Sequence, residues 1–475
     1  MVSQEREIYV FANITEKTGS RFVPAGLLSL TENMGAGIRS RELAARFSYG
    51  TGYLRRPEAI EVDPVSLSIV DSEASAGKEF FPINGLEEFG GIRDAAPDAW
   101  GRRVIEARRK VPANSLAEAD YLLEAGGDRV GALDVRVSLT SPDSASASDM
   151  HSLGYIMQAA DAVEQGLPVP ASLVDYLGAG PSAGGARPKA SVRDEDGALW
   201  LAKFPAQGDT FNVARAECCT LELARRCGLT VPEVKYLDIG GRPVMLIRRF
   251  DRYWATAGTW PEVDTALHDS RPGAGLAEGR LPFVSGLTLV ACSELESRAK
   301  GYQDLALAIR QYVHPHVIRK NCEELFARMV FNIFVSNDDD HLRNHGFVRA
   351  PHLAGWVLSP LYDVVPRPGI AYERMLHLEV GAQGKLASLD NAMTHFAAFT
   401  PERERALDLV RKVWGEVRQW KTCFEDFGAG GVLIEQMNPA FRDLEHIASP
   451  SLIAEIRKPF AMPDGYARVE RVSTL

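Results

Sequence analysis

A polar segment at residues 337–344 follows a long apolar helical pattern, and its residue types could support phosphoryl transfer. Asp339 and Asn344 are five positions apart, the spacing between the catalytic base and a metal-binding asparagine in the catalytic loop of protein kinases. Phosphoryl transfer needs a carboxylate near the attacking hydroxyl and an uncharged oxygen ligand for magnesium. A solvated acidic loop that ends a helix is the simpler interpretation of this segment alone.

Two short apolar runs after this segment, at 345–348 and 355–361, flank a turn with proline and glycine and therefore predict a β-hairpin. The hairpin leads directly to Tyr362 and Asp363. We expect Asp363 to be the second metal ligand, as in protein kinases, although the local sequence is Tyr-Asp-Val instead of Asp-Phe-Gly. A lone aspartate after a strand is also a common turn residue.

Lys203 lies inside a strand-like apolar run, where an inward-facing cation needs an anionic partner. ATP phosphates could supply that partner. The next helical pattern, 213–227, carries Glu217, which could orient Lys203 as a helix glutamate does in kinases. Taken singly, each residue is more simply explained as a surface lysine and a glutamate near a helix start.

A glycine-rich segment at 178–189 precedes this strand. Its glycines would let backbone amides approach phosphate oxygens, and Arg187 and Lys189 add positive charge. It lacks the Walker pattern, and most glycine-rich segments are plain loops. The order of loop, lysine, glutamate, Asp-Asn pair and final aspartate is much more specific than any single piece, and it favours a kinase-like ATP site.

The elements that must position these residues are strand-like in the first half of the chain and helical in the second. We predict strands at 7–13 and 60–70, a helix at 40–47, and helices at 99–110, 115–124, 302–333 and 401–420. Loop composition marks 138–149 and 260–279. No internal repeat is visible.

Composition restricts the class of protein further. The 475 residues carry a formal net charge of -10, which argues against direct binding of nucleic acid over a broad basic surface. The six cysteines show no zinc-type spacing, so we expect reduced structural thiols. The N-terminus does not read as a signal peptide, and the run 326–335 is too short to span a bilayer, so we expect a cytoplasmic protein without membrane contact.

The sequence resembles the HipA family of toxin–antitoxin serine/threonine kinases over nearly its whole length. The resemblance is carried by the segments 89–102 (FGGIRDAAPDAWGR), 182–189, 201–204, 249–252, 337–347 and 359–364. It implies an α+β, two-lobed, protein-kinase-like fold. The expected division is an N-terminal HipA-like subdomain at 1–137, a kinase N-lobe with the ATP loop at 150–248, and an all-helical C-lobe at 249–475.

The resemblance also implies roles for individual residues in binding ATP and Mg²⁺. Asp339 is expected to be the catalytic base, Asn344 and Asp363 the metal ligands, and Lys203 the phosphate anchor. The remaining residues expected at the nucleotide site are Gly184, Gly185, Ala186, Arg187, Pro188, Lys189, Arg248, Arg249, Phe250, His341 and Tyr362. Ser182 matches the serine that family members autophosphorylate, a modification that moves the loop out of the ATP site.

Partners follow from the same resemblance. Family members are bound by a small DNA-binding antitoxin of the HipB type, so DNA contact is expected only through the antitoxin, and no helix-turn-helix unit is recognisable in this chain. The expected protein substrate is a translation component such as an aminoacyl-tRNA synthetase, whose phosphorylation would arrest translation and favour dormancy.

Two alternatives from other functional classes stay open at this stage. The chain could be a kinase-like scaffold that holds nucleotide and an antitoxin without transferring phosphate. It could also be a metal-dependent phosphohydrolase that uses Asp338, Asp339, Asp340 and His341 as a two-metal cluster.

Overall fold

The structure is a computed structural model that describes residues 2–17, 19–34, 41–144, 148–179, 185–260 and 267–458. Ser182 and Gly184 lie outside these ranges. Within them, the last strand ends at Leu358, and the chain beyond that residue folds into helices and loops. The expected division into a strand-rich first part and a helix-rich second part is therefore confirmed.

An antiparallel sheet in the order β3-β2-β1-β4 forms the N-terminal region. Its strands are β1 (Val2–Glu16), β2 (Gly19–Met34), β3 (Arg41–Tyr49) and β4 (Leu133–Arg136). Ile8, Val10, Ala12 and Ile14 are all buried, which is the period of two expected for a strand with one face in the core. The accompanying helices are α1 (Thr51–Leu54), α2 (Ser72–Ser75), α3 (Gly90–Asp94), α4 (Ala99–Arg109) and α5 (Glu118–Glu124).

The predicted helix at 40–47 is wrong, because residues 41–49 form strand β3. Ala45, Phe47 and Tyr49 are buried at alternate positions, and β3 pairs with β2 along its length. A short run with mixed apolar and polar residues fits both periods, so only the long-range pairing decides between them.

The predicted strand at 60–70 is also wrong. Asp63 accepts hydrogen bonds from the backbone amides of Val65 and Ser66 at 2.7 and 3.1 Å, which folds the segment into a turn. The Tyr49 hydroxyl donates to the Leu67 carbonyl at 2.6 Å. Side chains therefore satisfy the backbone groups that a strand would have paired with a neighbour.

A five-stranded sheet in the order β5-β6-β7-β9-β8 forms the central region. Its elements are β5 (Ser148–Asp149), α6 (Leu153–Glu164), β6 (Lys189–Arg193), β7 (Leu199–Lys203), α7 (Val213–Arg226), β8 (Val234–Ile239) and β9 (Arg242–Arg248). Val244 and Leu246 of β9 belong to the core shared with α6, whereas Met245 and Ile247 belong to the core shared with α7. The sheet is thus covered on both faces, by α6 on one side and by α7 on the other. Lys203 lies in strand β7 and Glu217 lies in helix α7, as predicted.

The remaining strands form two small sheets. They are β10 (Arg252–Thr256), β11 (Leu276–Arg280), β12 (Phe283–Ser285), β13 (Gly346–Ala350) and β14 (Gly355–Leu358). The antiparallel pair β13 and β14 confirms the predicted hairpin. Strand β11 pairs with β10 inside the segment that we expected to be a loop, of which 261–266 lie outside the described residues.

The C-terminal region at 249–475 is mainly helical, but the expectation that it is all-helical is corrected, because strands β10 to β14 form two small sheets within it. Its helices are α8 (Gly286–Leu289), α9 (Tyr302–Tyr312), α10 (Ile318–Val335), α11 (Leu389–Thr394), α12 (Arg403–Val417), α13 (Trp420–Asp426), α14 (Gly431–Met437), α15 (Leu444–Ile447) and α16 (Pro450–Ile456). All six cysteines are buried and free of disulfides, as predicted. Within the described ranges, no helix is long and apolar enough to cross a membrane.

Candidate active site

A cavity of about 250 Å³ brings most of the predicted site residues together. Those that line it are Gly185, Lys189, Lys203, Arg248, Arg249, Phe250, His341, Asn344, Tyr362 and Asp363. They come from β6, β7, the end of β9 and the segments on either side of the hairpin β13–β14. Segments that are separate in the sequence therefore lie close together in the folded chain.

Lys203 binds two carboxylates at the cavity wall. Its Nζ donates to Glu217 Oε1 at 2.5 Å and to Asp363 Oδ1 at 2.7 Å. Burial by itself would lower the pKa of Lys203, but the Asp363 and Glu217 carboxylates raise this pKa above its ordinary value. The lysine is therefore held as a cation between α7 and the segment after β14.

Asp363 is ionised and faces the cavity. The Lys203 ammonium holds the pKa of the Asp363 carboxyl well below its usual range, and 45% of its side chain is accessible. Its backbone φ of 60° lies in the left-handed region, which few non-glycine residues adopt. The Tyr362 hydroxyl donates to the Arg343 carbonyl at 2.7 Å, which ties this segment to the loop that carries Asn344.

Asn344 lines the same cavity as Asp363. Its Nδ2 donates to the backbone carbonyl of Asp339 at 3.0 Å, which fixes the amide group, and among the described residues no donor binds its Oδ1. Asn344 and Asp363 thus place one neutral and one anionic oxygen donor on the same cavity wall. Hard oxygen donors of this kind are what Mg²⁺ prefers.

Asp339 lies outside the cavity, at the solvent side of the same loop. Its side chain is 57% exposed, and its Oδ2 accepts a hydrogen bond from Arg367 Nη2 at 2.8 Å. Arg367 Nε also pairs with Asp338 Oδ1 at 3.0 Å. A hydroxyl on a second protein could therefore approach Asp339 from solvent, while the backbone of Asp339 stays joined to Asn344.

Asp340 points in the opposite direction, into the core. Its Oδ2 accepts from Asn332 Nδ2 at 2.8 Å and from the Tyr302 hydroxyl, and His345 Nε2 lies 3.0 Å away. This arrangement argues against the phosphohydrolase alternative, because the neighbouring aspartates diverge. Among the described residues, no group of three or more His, Cys, Asp or Glu side chains could hold a metal ion.

The described part of the glycine-rich loop enters the cavity at its two ends. Gly185 has a φ of 98°, and a Cβ built on it would lie 2.3 Å from Lys189 Nζ, so a larger residue would collide with the lysine. Arg187 turns away and pairs with Asp209 at 2.6 Å. Ala186, Arg187 and Pro188 are not among the residues that line the cavity, so the charge expected from Arg187 is directed elsewhere.

Arg248, Arg249 and Phe250, which the resemblance places at the nucleotide site, differ in what they contact. Phe250 stacks on Tyr362 with 5.4 Å between ring centroids and offers an apolar surface for a base. Arg249 is engaged with Asp251 at 2.5 Å, and Arg248 donates to the Ser270 carbonyl. The Arg249 guanidinium is thus committed to a protein partner at the cavity edge, whereas Arg248 Nη1 is buried without a hydrogen-bond partner in the described structure.

Sequence reasoning assigned no role to the N-terminal segment 89–102, although Asp94, Ala96 and Asp98 line the cavity. Asp94 accepts hydrogen bonds from the Ser285 hydroxyl at 2.8 Å and the Thr288 hydroxyl at 2.7 Å, which joins α3 to the start of α8. The Trp100 indole donates to the Lys189 carbonyl at 2.9 Å. The sequence did contain a signal for this part of the cavity wall, because 89–102 is one of the segments that carry the resemblance to the HipA family.

Asp98 is a buried carboxylate without full hydrogen bonding. Its Oδ1 has no hydrogen-bond partner within the described structure. Burial raises the pKa of Asp98 to about 6, although the nearby Lys189 opposes this rise. A carboxylate in this state costs stability at neutral pH, and it lies at the wall of the same cavity as Lys203 and Asp363.

The fold and the site define a kinase-like protein. A family model described as the HipA-like C-terminal domain matches residues 181–421. The chain belongs to the HipA family.

Comparison with individual proteins agrees with this assignment. A Sinorhizobium fredii protein named "Putative kinase Y4mE" is 26% identical over 345 residues, which cover 68% of this chain and 74% of that protein. HipA of the Shewanella oneidensis MR-1 toxin–antitoxin system, solved with HipB and operator DNA, has a TM-score of 0.57 at 13% identity and covers 91% of this chain and 93% of its own. The architecture is thus an α+β, two-lobed, kinase-like fold.

The Helicobacter pylori proinflammatory kinase CtkA is also similar, with a TM-score of 0.38 and 16% identity. The match covers 58% of this chain and 95% of that one.

Proposed function

We propose that this protein is the toxin of a toxin–antitoxin pair and acts as an ATP- and magnesium-dependent serine/threonine protein kinase. The observation that carries the proposal is the pair of contacts from Lys203 to Glu217 and Asp363 at the cavity wall. Titratable groups with strongly shifted pKa values that line a cavity mark a candidate functional site. Because this cluster has two carboxylates for one cation, ATP phosphates would bind here together with a divalent cation that offsets the charge of Asp363.

Different residues of the cavity would bind different parts of the nucleotide. The cations of Lys189 and Lys203 would bind phosphate oxygens, and Phe250 and Tyr362 would hold the base by stacking. His341 lines the same wall. The Gly185 backbone can approach a phosphate closely because no side chain intervenes.

The residues present also fit Mg²⁺. Asn344 and Asp363 would hold the ion, since one offers a free amide oxygen and the other an ionised carboxylate. When bound, Mg²⁺ would neutralise charge on the phosphate oxygens during transfer. Lys203 would keep Asp363 in place and ionised.

Asp339 would act as the base that orients the substrate hydroxyl and accepts its proton. Its exposure suits a macromolecular substrate, because the hydroxyl must reach it from outside the nucleotide cavity. Arg367 keeps the carboxylate oriented through its hydrogen bond. The Asn344–Asp339 contact keeps the base next to the metal ligand.

The partners and the domain division are part of the same proposal. The neighbouring fold, Shewanella HipA, is described in complex with HipB and operator DNA, which supports an antitoxin of the HipB type as a partner here and DNA contact only through it. We further propose an aminoacyl-tRNA synthetase as substrate, a cytoplasmic location, and units at 1–137, 150–248 and 249–475.

Autophosphorylation of Ser182 would provide an off switch. Gly185 and Lys189, at the two ends of the described part of its loop, line the cavity, and a phosphoserine adds about -1.5 to -2 charges at neutral pH. Such a group would compete with ATP phosphates for Lys189 and Lys203, so the modified loop would leave the site. Mass spectrometry after incubation with ATP and magnesium should find phosphate on Ser182, and full ATP affinity of the modified protein would contradict the switch.

The deciding experiment uses ATP labelled on the γ-phosphate. A kinase labels itself or another protein, a phosphohydrolase releases free phosphate, and a scaffold does neither. In calorimetric titration, Asp363→Ala and Asn344→Ala should weaken magnesium-supported ATP binding by about tenfold or more, because each removes an oxygen ligand. Unchanged magnesium dependence in both variants would refute the metal assignment.

A further inference from the structure

A second and larger cavity lies in the helical region and shares no lining residue with the cavity around Lys203. It has a volume of about 740 Å³ and lies between residues 369–374, the junction of α12 and α13, and residues 438–446. We call it the basic groove. Its walls come from these three segments and from Phe334 of α10. Because these parts are distant in sequence, no local sequence motif predicts the groove.

The basic groove is joined to the catalytic segment through Ser336, three residues before Asp339. The Ser336 hydroxyl receives a hydrogen bond from Arg374, and the Ser336 carbonyl accepts from the backbone amide of Arg367 at 3.1 Å. Arg367 in turn binds Asp339. These contacts connect the wall of the groove directly to the segment that carries the exposed base.

The charge of the groove opposes that of the whole chain. Its wall carries Arg374, Arg418, Lys421 and Arg442 against the single acidic residue Asp443, whereas the chain has a formal net charge of -10. The groove is thus a local positive site on an acidic protein, which is the setting in which an anionic segment is selected.

The four cations fall into two pairs. Arg374 and Arg442 donate to backbone carbonyls, including Tyr372 O at 2.6 Å from Arg442. Burial lowers the pKa of Arg374, and the charge of Arg442 adds to this effect. A carboxylate bound nearby would relieve that repulsion.

Arg418 and Lys421 are exposed at the open side of the groove. Neither forms an ion pair within the described part of the chain. The Arg418 guanidinium lies 5.2 Å from the Trp414 ring centroid, and the Lys421 ammonium lies 5.6 Å from that of Trp420. Both head groups are therefore preplaced over aromatic rings and available to an anionic ligand.

An apolar lip accompanies these charges. Ile370 is fully exposed and Tyr372 is 66% exposed, and both line the groove. Ile370 and Tyr372 are two positions apart and together give the groove an exposed apolar edge. A polypeptide that carries both acidic and apolar side chains matches this combination better than nucleic acid, which offers phosphates but no apolar side chains.

We propose that the basic groove binds an acidic segment of the protein substrate, with carboxylates at Arg418 and Lys421 and an apolar side chain at Ile370 and Tyr372. This inference rests on the proposed kinase function and specifies the substrate class. The docked segment brings the attached serine or threonine to Asp339, so flanking acidic residues determine which hydroxyl is phosphorylated.

The test measures binding of fluorescent peptides by anisotropy. One peptide carries a serine, a leucine and a run of glutamates, and its counterpart carries lysines in place of the glutamates. Wild type should bind the acidic peptide, with affinity that falls as salt rises. The variant with Arg418→Glu and Lys421→Glu should lose about tenfold or more in affinity, because both contacts become repulsive.

The matched control is a double variant with Arg298→Glu and Lys320→Glu, which reverses the charge of two cations elsewhere on the surface. These residues are likewise exposed and lie outside the groove, so this variant should bind the acidic peptide like wild type. Absence of wild-type binding, equal affinity for both peptides, or an equal loss in both double variants would overturn the proposal. Displacement of the peptide by a short RNA at lower concentration than by polyglutamate would also overturn it.

ATP binding by wild type, measured in parallel, tests the proposed function separately. If ATP binds and the acidic peptide does not, the groove assignment fails while the kinase proposal stands. If the peptide binds and ATP does not, the kinase proposal fails.

Discussion

The two faces of the segment 337–345 use adjacent aspartates in opposite ways. On the inner face, Asp340 is buried and has three polar neighbours, Tyr302, Asn332 and His345. On the outer face, Asp339 is more than half exposed and has one side-chain partner, Arg367. The inner carboxylate fixes the shape of the loop, and the outer one is left free for chemistry.

This contrast teaches that a run of identical residues need not share a function. A buried carboxylate must have its hydrogen bonds satisfied, so its surroundings are rigid. An exposed carboxylate can exchange its partner for a substrate at little energetic cost. The two faces should therefore respond differently to substitution, in activity on one side and in stability on the other.

The largest effect is expected for Asp339→Ala. Loss of the base should lower autophosphorylation by about a hundredfold to ten-thousandfold, while the melting temperature stays close to wild type, because little apolar area is lost. Asp338→Ala is the matched control, since Asp338 is a neighbouring exposed carboxylate that also pairs with Arg367. Retention of more than a few per cent of activity in Asp339→Ala, or equal losses in both variants, would contradict the assignment of Asp339 as the base.

Asp340→Ala should instead lower the free energy of unfolding in urea by about 3 to 5 kcal/mol, because it leaves buried donors unpaired. Although burial opposes ionisation, His345 and the Tyr302 hydroxyl hold the pKa of Asp340 below its usual value. The part of this stabilisation that comes from the lowered pKa is present above pH of about 4 and is lost as pH falls below that value. The difference in stability between wild type and variant should therefore narrow in acid, and a difference that does not change with pH would contradict the explanation.

Asp98→Asn extends the comparison to a carboxylate that is buried but not fully satisfied. Its pKa of about 6 in the folded protein exceeds that of an unfolded chain, so the folded state favours the protonated form. The stability contribution is complete below pH of about 4 and disappears as pH rises through 6. The variant should be more stable than wild type by about 1 to 3 kcal/mol at pH 8 and no more stable in acid. Destabilisation at pH 8 would show that the carboxylate is well paired.

Arg367→Ala should have the smallest effect. An exposed ion pair contributes about 1 kcal/mol or less, so unfolding should change within about 0.5 kcal/mol and the transfer rate should fall by about fivefold at most. If Arg367 orients Asp339, Arg367→Lys should recover part of the rate at unchanged KM for ATP. A loss as large as that of Asp339→Ala would place Arg367 in the chemistry itself.

The parts of the site that could be predicted from sequence depend on local spacing. Strand β7 places Lys203 inward by its period of two, and α7 places Glu217 on the face that meets it. Asp339 and Asn344 lie in one short loop, so their separation along the chain limits their separation in space. The hairpin β13–β14 then delivers Asp363, as predicted.

The parts that could not be predicted depend on long-range contacts. Arg187 lies in the right loop, but Asp209 binds it and turns it outward. The strand β3 looks like a short helix until its partner β2 is known. The cavity wall formed by Asp94 and Asp98 and the basic groove both join segments far apart in sequence, and such pairings leave no periodic signal.

The order of synthesis on the ribosome delays completion of the cavity around Lys203. Its wall takes residues from Asp94 in the N-terminal region to Asp363 beyond the hairpin, so no nascent fragment that ends before Asp363 contains the complete wall. Trp100 and the Lys189 carbonyl that it binds are both synthesised before Lys203, whereas Lys203 lacks one of its two carboxylates until Asp363 has been added. Translation must therefore pass Asp363 before the ion pairs of the site can be complete.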